Sequence, residues 1–361
     1  MPTMQHPPAR QLATANRGFT LIELLVVVAV LSAVSLLAFG IATEDAAQIR
    51  YDETRLRLQS LRRAILGQLG PAARDPVGGF VADNGELPGD LATLLQSGTL
   101  ASQGVKTPVF DPQPDIASCA NNGGETSNPF GSTPDINALL VKGHRGDYLA
   151  GLAFNGRFRD GWGNQNGDTL EDAKNFGWSV ALDDITSSLS IASLGTDNAA
   201  GGTDFAADHS LHIAANDWLV PLQGATVRLV AQTDIPVQPL SVSLLVFRNT
   251  ASGGEWLRYS TPIVKVCLDG NGDGLVDSAP CPQQEVALSF TANCKAGDPS
   301  SGPTLIPHGR HLMLVTSHSG ALWETGDSPY WRDSSANTKQ TLARIDAIAG
   351  APLPEVRLEL R

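Results

Sequence analysis

The densest set of potential metal ligands in the chain is "CLDGNGDGLVDSAPC", residues 267–281. Asp269, Asn271, Asp273 and Asp277 stand at positions 1, 3, 5 and 9 of an EF-type loop. Gly274 takes the sharp-turn position, and the Leu275 carbonyl falls at position 7. Alternate oxygens wrapped around one centre suit a hard cation that takes about six to eight oxygen ligands, which is Ca2+. The Glu of position 12 is missing. Pro280 stands there, so Glu285, Asp298 or water would have to complete the sphere. The plain alternative is an Asx-rich turn that binds nothing.

A second residue asks for a chemical reason. Residues 17–42 read "RGFTLIELLVVVAVLSAVSLLAFGIA", long enough to cross a bilayer, yet Glu23 lies near the start of the run. A carboxylate near a membrane core costs ~2–3 kcal/mol, so it is kept for a partner. Arg10 and Arg17 precede the run, and Glu44 and Asp45 follow it. That asymmetry places the N-terminus in the cytoplasm. An ordinary secretory signal has a shorter apolar region with a small-residue cleavage site after it. Here the distinctive residues, Gly18, Phe19, Thr20 and Glu23, come first.

Other chemistry is thinly represented. His308, His311 and His318 are close in sequence, but an odd separation puts His308 and His311 on opposite faces of a strand. Surface histidines are therefore expected rather than a metal triad. There is no G-x-S-x-G, P-loop or H-E-x-x-H pattern, so no enzyme is expected. Arg145-Gly146-Asp147 is read as a chance tripeptide. A formal net charge of −12 argues against a nucleic-acid partner. All four cysteines, Cys119, Cys267, Cys281 and Cys294, follow the apolar run without C-x-x-C spacing. They fit two disulfides in an oxidising compartment rather than a zinc site. Cys267 and Cys281 bracket the acidic loop, and joining them would hold it closed and leave Cys119 with Cys294.

The segment "RGFTLIELLVVVAVLSAV" resembles the class III signal of type IV pilins and type II secretion pseudopilins. The resemblance implies a leader, residues 1–18, that a prepilin peptidase removes after Gly18. It implies N-methylation of the new first residue, Phe19. It also implies that Glu23 meets the α-amine of Phe19, its own or a neighbour's, and so fixes register in a helical filament.

The elements that must position these residues follow. Tyr51, Thr54, Leu58, Leu61, Ile65 and Leu69 recur at spacings of three and four. They predict one helix over 19–70, transmembrane then amphipathic, roughly 75 Å long at 1.5 Å per residue. Gly40 is a weak point within it, and Gly70-Pro71 ends it. In the pilin layout the second half packs on a small antiparallel sheet. "GGFVADNGELPGDLATLLQ" predicts a loop and then a short helix with Leu91, Leu94 and Leu95 on its apolar side. Residues 103–147 read as loop. Asp160, Trp162, Gly163 and Asn164 are similar to the Asp-x-Trp-Gly-Asn turn of major pseudopilins. Ser193-Leu194-Gly195 is similar to the strand end that leads into that family's calcium loop. The resemblance assigns Asp197, Asp204, the Leu194 carbonyl and Asp208 as ligands, and Asp217-Trp218 is similar to the family's closing Asn-Trp. The family's major subunits end near that point, whereas this chain continues.

Beyond it, "ATVRLVAQ", "LSVSLLVF", "PIVKVCL", "EVALSFTA", "RHLMLVTS" and "EVRLELR" alternate between turn residues at sandwich-like spacing. "TLIPHGRHLMLVT" weakly resembles a strand of transthyretin-like or Ig-like modules, and the 267–281 loop is similar to those of dockerin-like extracellular repeats. The expected fold class is α+β: a pilin-like part over 71–222 and an all-β sandwich-like domain over 223–361. The expected function is a structural subunit of a type II secretion or type IV pilus filament in a Gram-negative bacterium. It would be single-pass in the inner membrane with its globular part periplasmic, and filament-incorporated after processing. One or two structural Ca2+ ions would steady it. Its partners would be other pilin or pseudopilin subunits, the prepilin peptidase and the inner-membrane assembly platform. The alternative is a filament-tip binding module whose C-terminal domain holds a surface, a glycan or an exported protein.

Overall fold

Thr20 and Glu23 start the first helix together. The Glu23 amide donates to Thr20 Oγ1 at 3.3 Å, while the Thr20 amide and hydroxyl donate to Glu23 Oε2 at 3.2 and 3.1 Å. This reciprocal box satisfies amides that a helix N-terminus otherwise leaves open. From it runs α1 (Leu21–Leu66), continuous through Gly40. The computed structural model describes residues 20–67, 77–95, 113–114, 140, 142–145, 147–149, 155–231, 238–250, 253–266, 284–290, 305–317, 330–333 and 335–361.

Contacts divide the chain into two units, Met1–Arg50 and Tyr51–Arg361. In the first, Leu21, Ile22, Leu24, Leu25, Leu31 and Val34 all expose more than half of their surface. Ser32 and Ser35 return their hydroxyls to the carbonyls of Val28 and Leu31 at 2.8 and 2.7 Å, which keeps polar atoms off the helix surface. Among the described residues, no helix is long and apolar enough to cross a membrane.

In the second unit the predicted stripe is the buried face of α1. Thr54, Leu58, Leu61, Ala64, Ile65 and Leu66 are all below a tenth exposed. The helix stops at Leu66, earlier than Gly70-Pro71, because Gly67 takes φ +78 and returns its amide to Arg63 O at 2.8 Å. Leu69, Gly70 and Pro71 lie outside the described residues. The next segment differs from expectation. Its helix is α2 (Phe80–Asn84), and Ala92–Leu94 forms only a 3-10 turn. Asp90 starts that turn by accepting the Thr93 amide and hydroxyl at 2.9 and 2.7 Å.

After the two-residue β1 (Gln113–Pro114) comes α3 (Thr169–Asn175), and then an antiparallel meander of β2 (Ser179–Asp183), β3 (Ser188–Ser193) and β4 (His209–Ile213). Strand β3 alternates, and Leu189 and Ile191 join Leu61, Ile65, Phe80, Leu91, Phe158 and Trp178 in one core. β5 (Leu219–Pro221) then leads to β6 (Thr226–Ala231), β7 (Pro239–Thr250), β8 (Gly253–Ser260), β9 (Val264–Lys265), β10 (Gln284–Ser289), β11 (Leu305–Pro307) and β12 (Gly309–Ser317). β13 (Trp331–Arg332), β14 (Thr338–Lys339), β15 (Leu342–Ala347) and β16 (Val356–Leu360) complete the chain.

One sheet runs β1-β8-β7-β12-β15, with β9 also on β7, and a second runs β10-β6-β16. Val227, Leu229, Leu358 and Leu360 of the second share a core with Val242, Leu244, Val246, Met313 and Val315 of the first, the two-layer packing that alternating strands demand. The larger sheet is covered on its other face too. There Leu245, Phe247, Leu312 and Leu314 cluster with Leu140. β5 pairs with β11, and the His308 amide donates to Trp218 O at 2.6 Å.

The stripe on α1 gives a direct stability test. Leu61→Ala removes a side chain that is 0 % exposed and should cost about 3 kcal/mol through lost transfer and cavity terms. Leu56→Ala, on a side chain 62 % exposed, should change stability by less than about 0.5 kcal/mol. Denaturant unfolding of the full chain in detergent micelles measures both.

Candidate functional site

The best-built polar site is the turn at residues 159–164. Asp160 is 3 % exposed, and a buried carboxylate must be answered by donors. It accepts the Asn164 amide at 3.0 Å, Asn164 Nδ2 at 2.8 Å and the Ser193 hydroxyl at 2.6 Å. Asn164 Nδ2 also reaches the Gly195 carbonyl at 2.8 Å. One acid thus holds its own turn and the end of β3.

The flanks of the turn attach it to α1. Thr54 Oγ1 accepts the Gly161 amide at 3.0 Å, and the Arg57 guanidinium donates to the Arg159 carbonyl. Arg159 itself forks onto Asp172 of α3 at 2.9 and 2.7 Å, with Arg157 adding a contact at 3.2 Å. The Arg159 hydrogen bonds hold the Asp172 carboxyl below the usual carboxylate range, against the opposing effect of burial. α3 starts where Asp168 accepts the amides of Leu170 and Glu171 at 2.7 and 3.0 Å. Farther along the sheet, Arg62 of α1 pairs with Asp217 at 2.9 Å, and Trp218 Nε1 donates to Ser187 O at 2.9 Å.

The loop that follows β3 is fastened at several points. Gly195 has φ +66, and a Cβ there would stand 2.5 Å from the Ala206 carbonyl oxygen, so only glycine fits. The Thr196 amide donates to Phe205 O at 2.9 Å. Phe205 packs its ring 6.0 Å from Tyr51 and 6.1 Å from Trp162. Asp197 accepts the Ala199 amide at 3.1 Å, and Asp208 accepts the Gly201 amide at 3.0 Å. Asp204 opens a 3-10 turn. Asp197, Asp204 and Asp208 are exposed. Among the described residues, no three acidic, histidine or cysteine side chains are gathered to hold a metal ion. Leu194 follows the last residue of β3 at the start of this loop and is half-buried.

The remaining predicted residues divide sharply. Gly18, Phe19, the loop ligands Asp269, Asn271, Asp273, Leu275 and Asp277, His318, and Cys119, Cys267, Cys281 and Cys294 lie outside the described residues. His308 and His311 correct the expectation of surface histidines, since each is 1 % exposed. The reason differs for the two: His308 lies at the bend between β11 and β12, where its Nδ1 accepts the Ala349 amide at 3.2 Å, and His311 lies on β12, whose sheet is covered on both faces. His311 Nε2 lies 2.8 Å from Pro307 O, and burial pushes its imidazole down to about 3, which keeps it neutral. Arg145 of the Arg-Gly-Asp tripeptide pairs with Asp83 at 3.1 Å. Sequence reasoning found Asp160 and Asn164, placed Thr54 on the helix stripe and Ser193 at a strand end without joining either to this turn, and missed Arg57, Arg159 and Asp172 as its partners. The one available signal was Arg57 beside the buried stripe, three residues after Thr54.

The family model for the prokaryotic N-terminal methylation motif matches residues 14–39. No curated protein matches the chain, and no solved structure does.

The network around Asp160 yields the second test. Asp160→Ala strands three donors in a buried site and should cost about 3 kcal/mol. Ser193→Ala removes one of them and should cost about 1 kcal/mol. Unfolding of the full chain compares the two variants.

Proposed function

We propose that the chain is a prepilin-like structural subunit, held in the inner membrane by its apolar helix and then built into a filament of a type II secretion or type IV pilus system. The observation that carries this reading is the methylation motif at residues 14–39. It spans Gly18, Phe19 and Glu23, the residues a prepilin peptidase and the assembling filament would use. The exposed apolar run of α1 supports it. Residues such as Leu21, at 82 % exposed, and Ile22, at 71 %, would not remain in water and require lipid or neighbouring helices.

The packed part of the chain supports a mechanical role. α1 from Leu58 onward lies in one core with a three-stranded antiparallel meander, which is the arrangement expected of a pilin. The turn at 159–164 bonds to Thr54 and Arg57, so a pull on the helix would pass into the sheet through directed hydrogen bonds. The β-sandwich would then be what the subunit displays, which favours a minor or tip position over a densely packed shaft. Structural Ca2+ belongs to the same proposal. It rests on the oxygen spacing of Asp269, Asn271, Asp273, Leu275 and Asp277, and less directly on the 194–208 loop.

Two measurements test this. Mass spectrometry of the chain from cells with an active prepilin peptidase should find an N-methylated Phe19 as the first residue. An intact Met1 start in those cells overturns the reading. Calcium should raise the stability of the full chain, by about 2.7 kcal/mol at a free concentration a hundredfold above Kd. Asp269→Asn with Asp273→Asn should remove most of that rise, and a chain indifferent to Ca2+ removes the ion from the proposal.

A further inference from the structure

Lys142 is the most deeply buried cation among the described residues, at 3 % exposed. Its Nζ donates to the Ala82 carbonyl of α2 at 2.6 Å. The space it occupies is made by Gly309, the first residue of β12, where φ is +152. A Cβ there would stand 3.1 Å from Lys142 Nζ and 3.0 Å from Ala82 O. Three separate pieces of chain, α2, residues 142–145 and the start of β12, therefore meet around one amine. This is also where the part packed on α1 touches the sandwich.

The surroundings are charged, but burial dominates. Asp83 on α2 pairs with Arg145 at 3.1 Å, accepts the Tyr148 hydroxyl at 3.1 Å, and offers its carbonyl to the Gly143 amide at 2.8 Å. His144 of the same segment contacts Thr93 O at 2.9 Å. From the sandwich come Arg310, paired with Asp346 of β15 at 2.7 Å, and the buried His308 and His311. Asp83 and Asp346 favour the ammonium while Arg145 and Arg310 oppose it. Desolvation is the largest influence, acts in the same direction as the two arginines, and brings the Lys142 amine down to about 7.

We propose that this seam is a proton-linked latch, in which each release of residues 142–145 from α2 and β12 takes up a proton at Lys142, so that the seam tightens as pH rises and loosens as it falls. The closed seam keeps the amine neutral above about 7, whereas an amine released to water holds its proton up to about 10.5. Between those values the open form carries one proton more, and its population falls about tenfold per pH unit. Below about 7 the amine is charged in both forms and its influence levels off. His311 continues the same direction at lower pH. It is neutral in the closed seam down to about 3 but protonates near 6.5 once exposed, so opening grows again as pH falls from 6.5 towards 3. Tightening with alkali and loosening with acid thus come from two different groups in adjoining windows.

Hydrogen–deuterium exchange on the full chain in detergent micelles tests the latch, with rates corrected for the intrinsic pH dependence of exchange. The readout is the peptide carrying the Gly143 amide. Its protection should rise about tenfold per pH unit between about 7.5 and 9.5. The slope should vanish in Lys142→Met and in Lys142→Arg, neither of which titrates there, and should persist in His311→Gln. A flat wild-type profile overturns the proposal, as does a slope that survives loss of the amine. Competitive acetylation of the wild-type chain decides the matter without any substitution. Half-maximal reactivity of Lys142 near pH 7 supports the latch, and ordinary behaviour near 10.5 overturns it.

Discussion

The fold around α1 depends on how one buried carboxylate is satisfied. Asp160 lies in the core side of a turn, and an ionised acid there is tolerable only if donors converge on it. Three do: the amide and side chain of Asn164, and the Ser193 hydroxyl. Those bonds fix where the turn ends and where β3 ends. They also fix where the following loop begins, because Asn164 holds the Gly195 carbonyl. The Gly161 amide and the Arg159 carbonyl of the turn are then free to meet Thr54 and Arg57 of α1. The apolar core explains why the helix lies against the sheet. A grease-to-grease contact alone leaves sliding and rotation cheap, and the directional bonds of this turn select one register.

What could be read from sequence follows the same division between patterned and unpatterned forces. The stripe from Tyr51 to Ile65 was legible because a helix buried on one side leaves a 3.6-residue record. β16 was legible because a half-buried strand alternates with period two, whereas β6, β7 and β12 were legible as short β-branched and Leu-rich runs between turn residues. β15, "LARIDA", was not, since its intermediate exposure weakens the alternation and Ala and Arg favour helix. Nor was β8, which begins Gly253-Gly254 and so reads as a turn. The buried histidines show the limit most clearly. Parity placed His308 and His311 on opposite faces of one strand, but the chain bends at His308 between β11 and β12, and parity could not say that both faces of the sheet at His311 are covered. Ser243 makes the same point, buried against Thr316 at 2.7 Å in a run that parity would send to solvent.

Sites are harder to read than cores because their partners are distant. Asp160 and Asn164 were visible as a local motif four residues apart, yet Ser193 reaches Asp160, and Thr54 the Gly161 amide between them, from far along the chain. The same holds at Lys142. Nothing in its neighbourhood of sequence marks it as buried, and its environment is built by α2 and by a glycine on β12. Long-range polar partners have no period, so a single sequence does not record them.

Glu23 combines both kinds of information. Its place in an apolar run pointed to a partner outside the helix, and the structure gives it one inside: the Thr20 amide and hydroxyl. The two roles do not compete. Both of those bonds fall on Oε2, and a carboxylate offers about four acceptor positions over its two oxygens, so Oε1 still has capacity. Processing after Gly18, as we propose, would create an amine one residue before Thr20, close in sequence to a carboxylate already held by the cap. The entropy of fixing a Glu side chain, up to about 2 kcal/mol, would then be met before any second subunit arrived. An acid held in place by its own helix is a better anchor for a charge partner than a mobile one. In that light a capping box at this position is as much a part of assembly as the charge itself.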